Sequence, residues 1–121
     1  MGLDMYANTT KHRPKSAIDF ATKDSDKQLH YWRKHPNLHG WMERVYRIKG
    51  GVEDFNCATV QLTRFDIDIL EAAIREGQLP ETEGFFFGES DGSERDDDLE
   101  FIAKARVAIA QGRTVYYRAW W

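Results

Sequence analysis

Residues 115–120, near the end of a 121-residue chain, read VYYRAW and decide the fold class. Side chains in this stretch alternate with a period of two, as they do in a strand with one buried and one exposed face. We therefore predict a strand here. The inward set is Val115, Tyr117 and Ala119, and the outward set is Tyr116, Arg118 and Trp120.

The same alternation opens the chain, where residues 2–7 read GLDMYA. Leu3 and Met5 would face the core, and Tyr6 would face solvent. Two strands of this kind predict a mainly antiparallel sheet, because antiparallel sheets commonly bury one face and leave the other wet.

Three segments between these strands have the spacing of amphipathic helices. The first begins near Pro36, which suits a first helical turn, and ends at a Gly-Gly pair. The second has Thr63 as its N-cap and Asp66 in the capping-box position. The third begins with three aspartates at residues 96–98, which the helix dipole favours at an N-terminus.

The remaining segments carry weaker patterns. Residues 8–28 are polar and Lys-rich, and we interpret them as a long excursion over the surface. Residues 84–88 read GFFFG, a length that suits a buried strand or an extended crossing of the core, with its phenylalanines buried. Cys57 begins a short β-favouring segment, where a lone cysteine is more often a small buried hydrophobe than a nucleophile.

The composition predicts a globular chain, since 41% of its residues are hydrophobic and 31% are charged. We predict a single α+β domain over residues 1–121, with a sheet of three or four strands and three helices on one face. No apolar run approaches the ~20 residues that span a bilayer. The first residues do not resemble a secretory signal, and one cysteine suits a reducing compartment. We therefore expect a cytoplasmic protein that does not contact membranes.

Charge is divided unevenly along the sequence. Residues 1–50 carry ten Lys/Arg against five Asp/Glu, a net +5, whereas residues 51–121 carry a net −8. Such a division can give a bipolar surface that attracts oppositely charged partners. The opposite charges of the two halves can also lie next to each other in the folded protein, and the bipolar surface is then lost.

The candidate chemical groups form no recognised motif. His30, His35 and His39 have spacings that a metal site can use, but no HExxH sequence is present. We expect surface or capping roles for these histidines, and we predict no metal site and no cofactor. A nucleophile elbow, a Walker motif and a kinase signature are also missing from the sequence. A non-enzymatic protein is therefore the favoured prediction.

Several segments in order resemble a family of small uncharacterised proteins encoded by bacteriophages, prophages and their bacterial hosts. They are MGLDMY at 1–6, YWRK at 31–34 with His39 and Trp41 after it, GFFFG at 84–88, and the aromatic end at 116–121. The resemblance covers most of the chain except residues 7–28. It implies a phage or prophage setting and no particular chemistry.

These segments suggest one candidate ligand pocket. Arg33 could bind an anionic group through its forked guanidinium, and His39 could donate a hydrogen bond or carry a proton. The predicted lining is Tyr6, Trp32, Arg33, His39 and Trp41.

Three functions stay open. The favoured one is a phage or prophage accessory protein that binds a host or phage macromolecule, and homo-oligomer formation stays open beside it. The first alternative is a nucleotide or phosphate binder, or a small enzyme, that uses Arg33 and His39. The second alternative is nucleic-acid binding through the basic half. The residues that would neutralise phosphates are Lys11, Arg13, Lys15, Lys23, Lys27, Arg33 and Lys34.

Overall fold

A computed structural model describes residues 2–121 as one four-stranded antiparallel sheet and three helices, which confirms the α+β class. In chain order the elements are β1 (Asp4–Thr10), β2 (Lys27–Arg33), α1 (Pro36–Ile48), β3 (Thr59–Leu62), α2 (Arg64–Arg75), α3 (Arg95–Ala110) and β4 (Thr114–Trp120). The strands lie in the order β2-β1-β4-β3.

The two strands with the clearest alternation pair with each other at the centre of the sheet. In their antiparallel register Met5 lies opposite Ala119, and Ala7 lies opposite Tyr117. These four side chains are fully buried and belong to one core cluster that the three helices complete. The helices therefore cover one face of the sheet, which we name the inner face. The opposite face is named the outer face.

The polar segment that follows β1 is shorter than the sequence predicts. Residues 8–10 continue β1, because Asn8 and two β-branched threonines pair with β4, and β2 already begins at Lys27. The loop that remains, residues 11–26, is held to the free edge of β3. There Asp19 N–H donates to the Thr59 carbonyl at 3.0 Å, and Ile18 forms a bridge with Val60.

The prediction for the GFFFG segment is wrong. Residues 84–88 form a turn in which the Phe87 N–H donates to the Gly84 carbonyl at 3.1 Å. Phe85 is 82% exposed, Phe86 is also exposed, and Phe87 is buried in the core. A positive φ of 66° at Phe86 explains the difference, because it turns the backbone where a strand would run straight.

The prediction for Cys57 is also wrong. The strand β3 begins two residues later, at Thr59, and the thiol is exposed. Cys57 has a φ of 69°, so it belongs to the turn that precedes the strand. In α3 the buried face includes Phe101 and Ile102, whereas Ala103 is exposed.

The predicted cap of α2 is confirmed. Thr63 Oγ1 accepts the Asp66 N–H at 3.2 Å, and Asp66 Oδ2 accepts the Thr63 N–H at 2.8 Å. We expect Thr63→Ala to lower the free energy of unfolding by about 1 kcal/mol, because the Asp66 N–H loses its side-chain acceptor and the Thr63 hydroxyl no longer donates to Asp66 Oδ2. Urea unfolding measures this loss. The matched control is Thr22→Ala in the exposed loop, and an equal loss in both variants would contradict the assignment.

Within residues 2–121, α3 is the longest helix at 16 residues, and no helix is both long and apolar enough to cross a membrane.

Candidate functional site: the outer face of the sheet

The outer face carries an uncovered group of aromatic and charged side chains. Alternation along the strands produces it, since every second residue of β1, β2 and β4 points away from the helices. Across the strands, Tyr6 pairs with Tyr31 and with Arg118, while Asp4 pairs with Arg33 and with Trp120. We name this group the aromatic platform. Its members are Asp4, Tyr6, Tyr31, Arg33, Arg118 and Trp120.

The three rings of the platform form a continuous row across three strands. Tyr6 lies in the middle, with its ring centroid 5.1 Å from Tyr31 and 4.5 Å from Trp120. The Tyr6 and Trp120 planes are stacked at 23°. Tyr31 is 41% exposed and Trp120 is 39% exposed. A large aromatic surface is thus held in one orientation and remains open to solvent.

Charged groups frame this row on both sides. The Arg118 guanidinium lies 5.5 Å from the Trp120 ring, and its Nε donates to the Cys57 carbonyl at 3.3 Å. On the other side Arg33 donates to Asp4 at 3.3 Å. Tyr31 donates to the same carboxylate at 2.6 Å, which raises the pKa of Tyr31 above its ordinary value. The single carboxylate of the platform is thus already bound to a cation and a hydroxyl.

The basic loop, residues 11–26, covers the neighbouring part of the outer face. Phe20 packs its edge against Tyr116 at 5.2 Å between centroids, and Tyr116 donates to Asp26 at 2.7 Å. Burial and the Asp26 carboxylate raise the pKa of Tyr116 well above its ordinary value. Beside these rings lies a cleft of about 490 Å³. Its charged lining residues are Arg13, Lys15, Lys23 and Asp26, and His12 lies among them.

The five residues of the predicted pocket lie on both sides of the sheet. Tyr6 and Arg33 belong to the aromatic platform, whereas Trp32, His39 and Trp41 are buried in the inner core. The structure therefore brings Tyr6 and Arg33 to one surface and does not bring the five together. The cause is the pleat of β2, which turns Trp32 and Arg33 to opposite faces.

His39 is a core residue. Its ring is 1% exposed and packs among Phe55, Phe87 and Trp121, with Nδ1 2.6 Å from the Tyr117 hydroxyl. Burial lowers the pKa of His39 to about 4. The ring is therefore neutral at physiological pH, and a proton-carrying role in a pocket is unsuited to it.

The three candidate metal-binding histidines are buried, so the prediction of surface or capping roles is wrong, and they are also separated. His35 bonds to Asp98, His39 packs in the core, and His30 lies beside Asp97 with its Nε2 3.1 Å from Oδ1. Over residues 2–121, the grouping with suitable spacing for a metal is His30, Asp97 and Glu100. Lys104 Nζ lies 3.3 Å from the His30 ring, and its positive charge opposes a metal ion there.

The predicted pocket included Tyr6 and Arg33 but not Tyr31 and Trp120. The alternation of residues 115–120 already assigns Trp120 to the outward face, so that signal was present. Tyr31 could not be found in the same way, because its position beside Tyr6 depends on strand β2. That strand pairs with β1 from more than twenty residues along the chain.

Comparison with protein-family models, with curated proteins and with solved structures finds no match for this chain.

Proposed function

We propose that this protein binds a macromolecule through the aromatic platform, and that its ligand is single-stranded nucleic acid. The observation that carries the proposal is the row Tyr31, Tyr6 and Trp120, in which the two outer rings are exposed and Tyr6 is half-buried between them, framed by Arg33 and Arg118. Exposed rings on a rigid sheet offer faces on which unpaired bases stack. Neighbouring guanidinium groups supply the contacts that a phosphate backbone requires.

The geometry of the sheet favours a single strand over a duplex. A base can stack on an aromatic ring when it is unpaired and free to lie flat, whereas the bases of a duplex are stacked on one another. Stacking also tolerates any base, since every base has a π-face. The expected binding is therefore weakly selective for sequence.

The distribution of charge also favours the outer face as the binding surface. The loop cations Arg13, Lys15 and Lys23 line a cleft on the outer side of the sheet. The acidic first turn of α3 lies on the inner side, where Asp98 accepts from the Trp32 indole and the exposed Asp97 lies beside His30. Folding thus keeps part of the basic half next to the platform and away from this acidic turn. An anionic strand would be drawn to the outer face.

We expect wild-type protein to bind a fluorescein-labelled 12-nucleotide oligothymidylate or its RNA counterpart, and Trp120→Ser to weaken that binding about tenfold. The basis is that one base-stacking contact contributes roughly 1–3 kcal/mol. Fluorescence anisotropy at low salt measures the affinity. The control is Phe65→Ser on α2, which removes an exposed aromatic ring outside the platform. Equal weakening by both variants would contradict the proposal.

The dependence of the affinity on salt concentration separates the electrostatic contribution to binding from the contribution of base stacking. In Arg118→Gln, the slope of log affinity against log salt should fall by about 0.7 in magnitude, as for one phosphate contact on a single strand. In Trp120→Ser the slope should not change. If the protein bound neither the DNA nor the RNA oligonucleotide, the nucleic-acid proposal would be contradicted. The platform would then be assigned to a host or phage protein partner, as the resemblance to phage and prophage proteins leads us to expect.

A further inference from the structure

A second arrangement lies on the inner side of the sheet and is independent of the aromatic platform. Ser90, His35 and Asp98 form a hydrogen-bonded chain. Ser90 Oγ is 2.6 Å from His35 Nδ1, and His35 Nε2 is 2.8 Å from Asp98 Oδ2. From these contacts we propose that Ser90 is the nucleophile, and His35 the general base, of a site that hydrolyses small carboxylic esters.

The protonation pattern follows from the partners. An ionised carboxylate only accepts hydrogen bonds, so in its neutral form a His35 ring in this contact carries its proton on Nε2 and donates to Asp98. The lone pair on Nδ1 then faces the Ser90 hydroxyl, which donates to it. This is the order of nucleophile, base and orienting carboxylate that activates a serine, with the two ring nitrogens exchanged relative to the commonest arrangement.

Asp98 is a positioning residue in this site. Its other oxygen accepts the Trp32 indole N–H at 3.0 Å, and both Asp98 and His35 are buried. Two hydrogen bonds on opposite carboxylate oxygens fix its orientation, and Asp98 in turn fixes the plane of the His35 ring. A rigid base next to a serine that is only half-buried provides a reactive group that substrate can approach.

The space beside Ser90 sets the class of substrate. A cavity of about 260 Å³ is lined by Ser90 and His35, by the apolar side chains of Ile74 and Leu79, and by Arg95. It has room for a short acyl group and not for a long chain. The Asn37 N–H, in the first turn of α1, donates to Ser90 Oγ at 3.1 Å. This bond holds the Ser90 hydroxyl oxygen in place beside the His35 ring.

The reaction balances with water as the second substrate. Ser90 Oγ attacks the ester carbonyl while its proton passes to His35, and the carbon–oxygen bond to the alcohol then breaks as His35 returns that proton to the leaving oxygen. Water attacks the acyl-serine, His35 takes a proton from the water, and the acid departs. Ser90 Oγ regains the proton from His35.

A fluorophosphonate probe tests the proposal directly. Ser90 Oγ would displace fluoride from phosphorus, and mass spectrometry of the digested protein would locate the adduct. We expect labelling of the folded wild-type protein at Ser90, no labelling of Ser90→Ala, and labelling at least 100-fold slower in His35→Gln. The matched control is Ser93→Ala, an exposed serine of the same loop, which should label at the wild-type rate.

Hydrolysis of p-nitrophenyl acetate gives a second readout, and thermal melts show that each variant is folded. Failure of the folded wild-type protein to label at Ser90 would overturn the proposal, whatever the variants do. Equal labelling rates in wild type and folded His35→Gln would also overturn it, because Ser90 would then react without its base. Neither result bears on the aromatic platform.

Discussion

Replacing Asp98 with alanine is expected to lower the free energy of unfolding by about 3 kcal/mol, and the melting temperature by roughly 10 °C. The carboxylate is 2% exposed and accepts hydrogen bonds from the Trp32 indole and the His35 ring. Its removal leaves both donors buried without a partner, and that penalty exceeds the loss of an ordinary hydrogen bond. Urea unfolding followed by circular dichroism measures the loss.

The control for this substitution is Asp96→Ala in the same helical turn. Asp96 is exposed, so only its favourable interaction with the helix dipole is lost, about 0.3–1 kcal/mol. Similar losses in the two variants would show that Asp98 acts as one more surface carboxylate. That outcome would contradict the buried network.

Lowering the pH from 6.5 to 4 is expected to remove about 3 kcal/mol of stability through His39 alone. Burial lowers the pKa of His39 to about 4 in the folded state, whereas an unfolded histidine has a pKa near 6.5. The unfolded chain therefore takes up a proton first as the pH falls. The stabilising contribution of the neutral ring is complete above pH 6.5, declines through this window, and is lost by pH 4.

The variant His39→Gln tests this prediction, because it keeps a hydrogen-bonding group near the Tyr117 hydroxyl but does not titrate. It should be less stable than wild type at pH 7.5. Its stability should also fall less steeply between pH 6.5 and 4, by up to ~1.4 kcal/mol per pH unit. His12→Gln, at an exposed position, should keep the wild-type slope. If His39→Gln had the same slope as wild type, another group would have to cause the acid sensitivity.

The elements that the sequence predicts correctly are those whose signal is local. The alternation in β4 and the capping box of Thr63 and Asp66 each depend on neighbouring residues, and both are present in the structure. Strand β2 was missed because its sequence, KQLHYWR, buries a histidine where an apolar residue would signal a strand. A bulge between Ala7 and Asn8 also shifts its pairing with β1.

The features that the sequence does not predict depend on contacts between residues that are distant in the chain. From the sequence alone, Asp98 is one of three consecutive aspartates expected to be exposed at a helix N-terminus. In the structure it is bonded to Trp32 and His35, which lie 66 and 63 residues away in the chain. In the same way the predicted pocket combined residues that are close in sequence, and the pleat of β2 separates Trp32 from Arg33. Ser90 carried no sequence signal, because its role depends on the position of His35 across the fold.

The aromatic platform is proposed above as a binding surface for single-stranded nucleic acid. The most direct measurement is an NMR titration of ¹⁵N-labelled protein with unlabelled oligothymidylate, together with the indole N–H signals. We expect shifts at residues 4–8, 31–33 and 118–120, and at the Trp120 indole, with the buried Trp32 indole unmoved. No shifts at millimolar oligonucleotide, or shifts confined to α2 and α3, would contradict it.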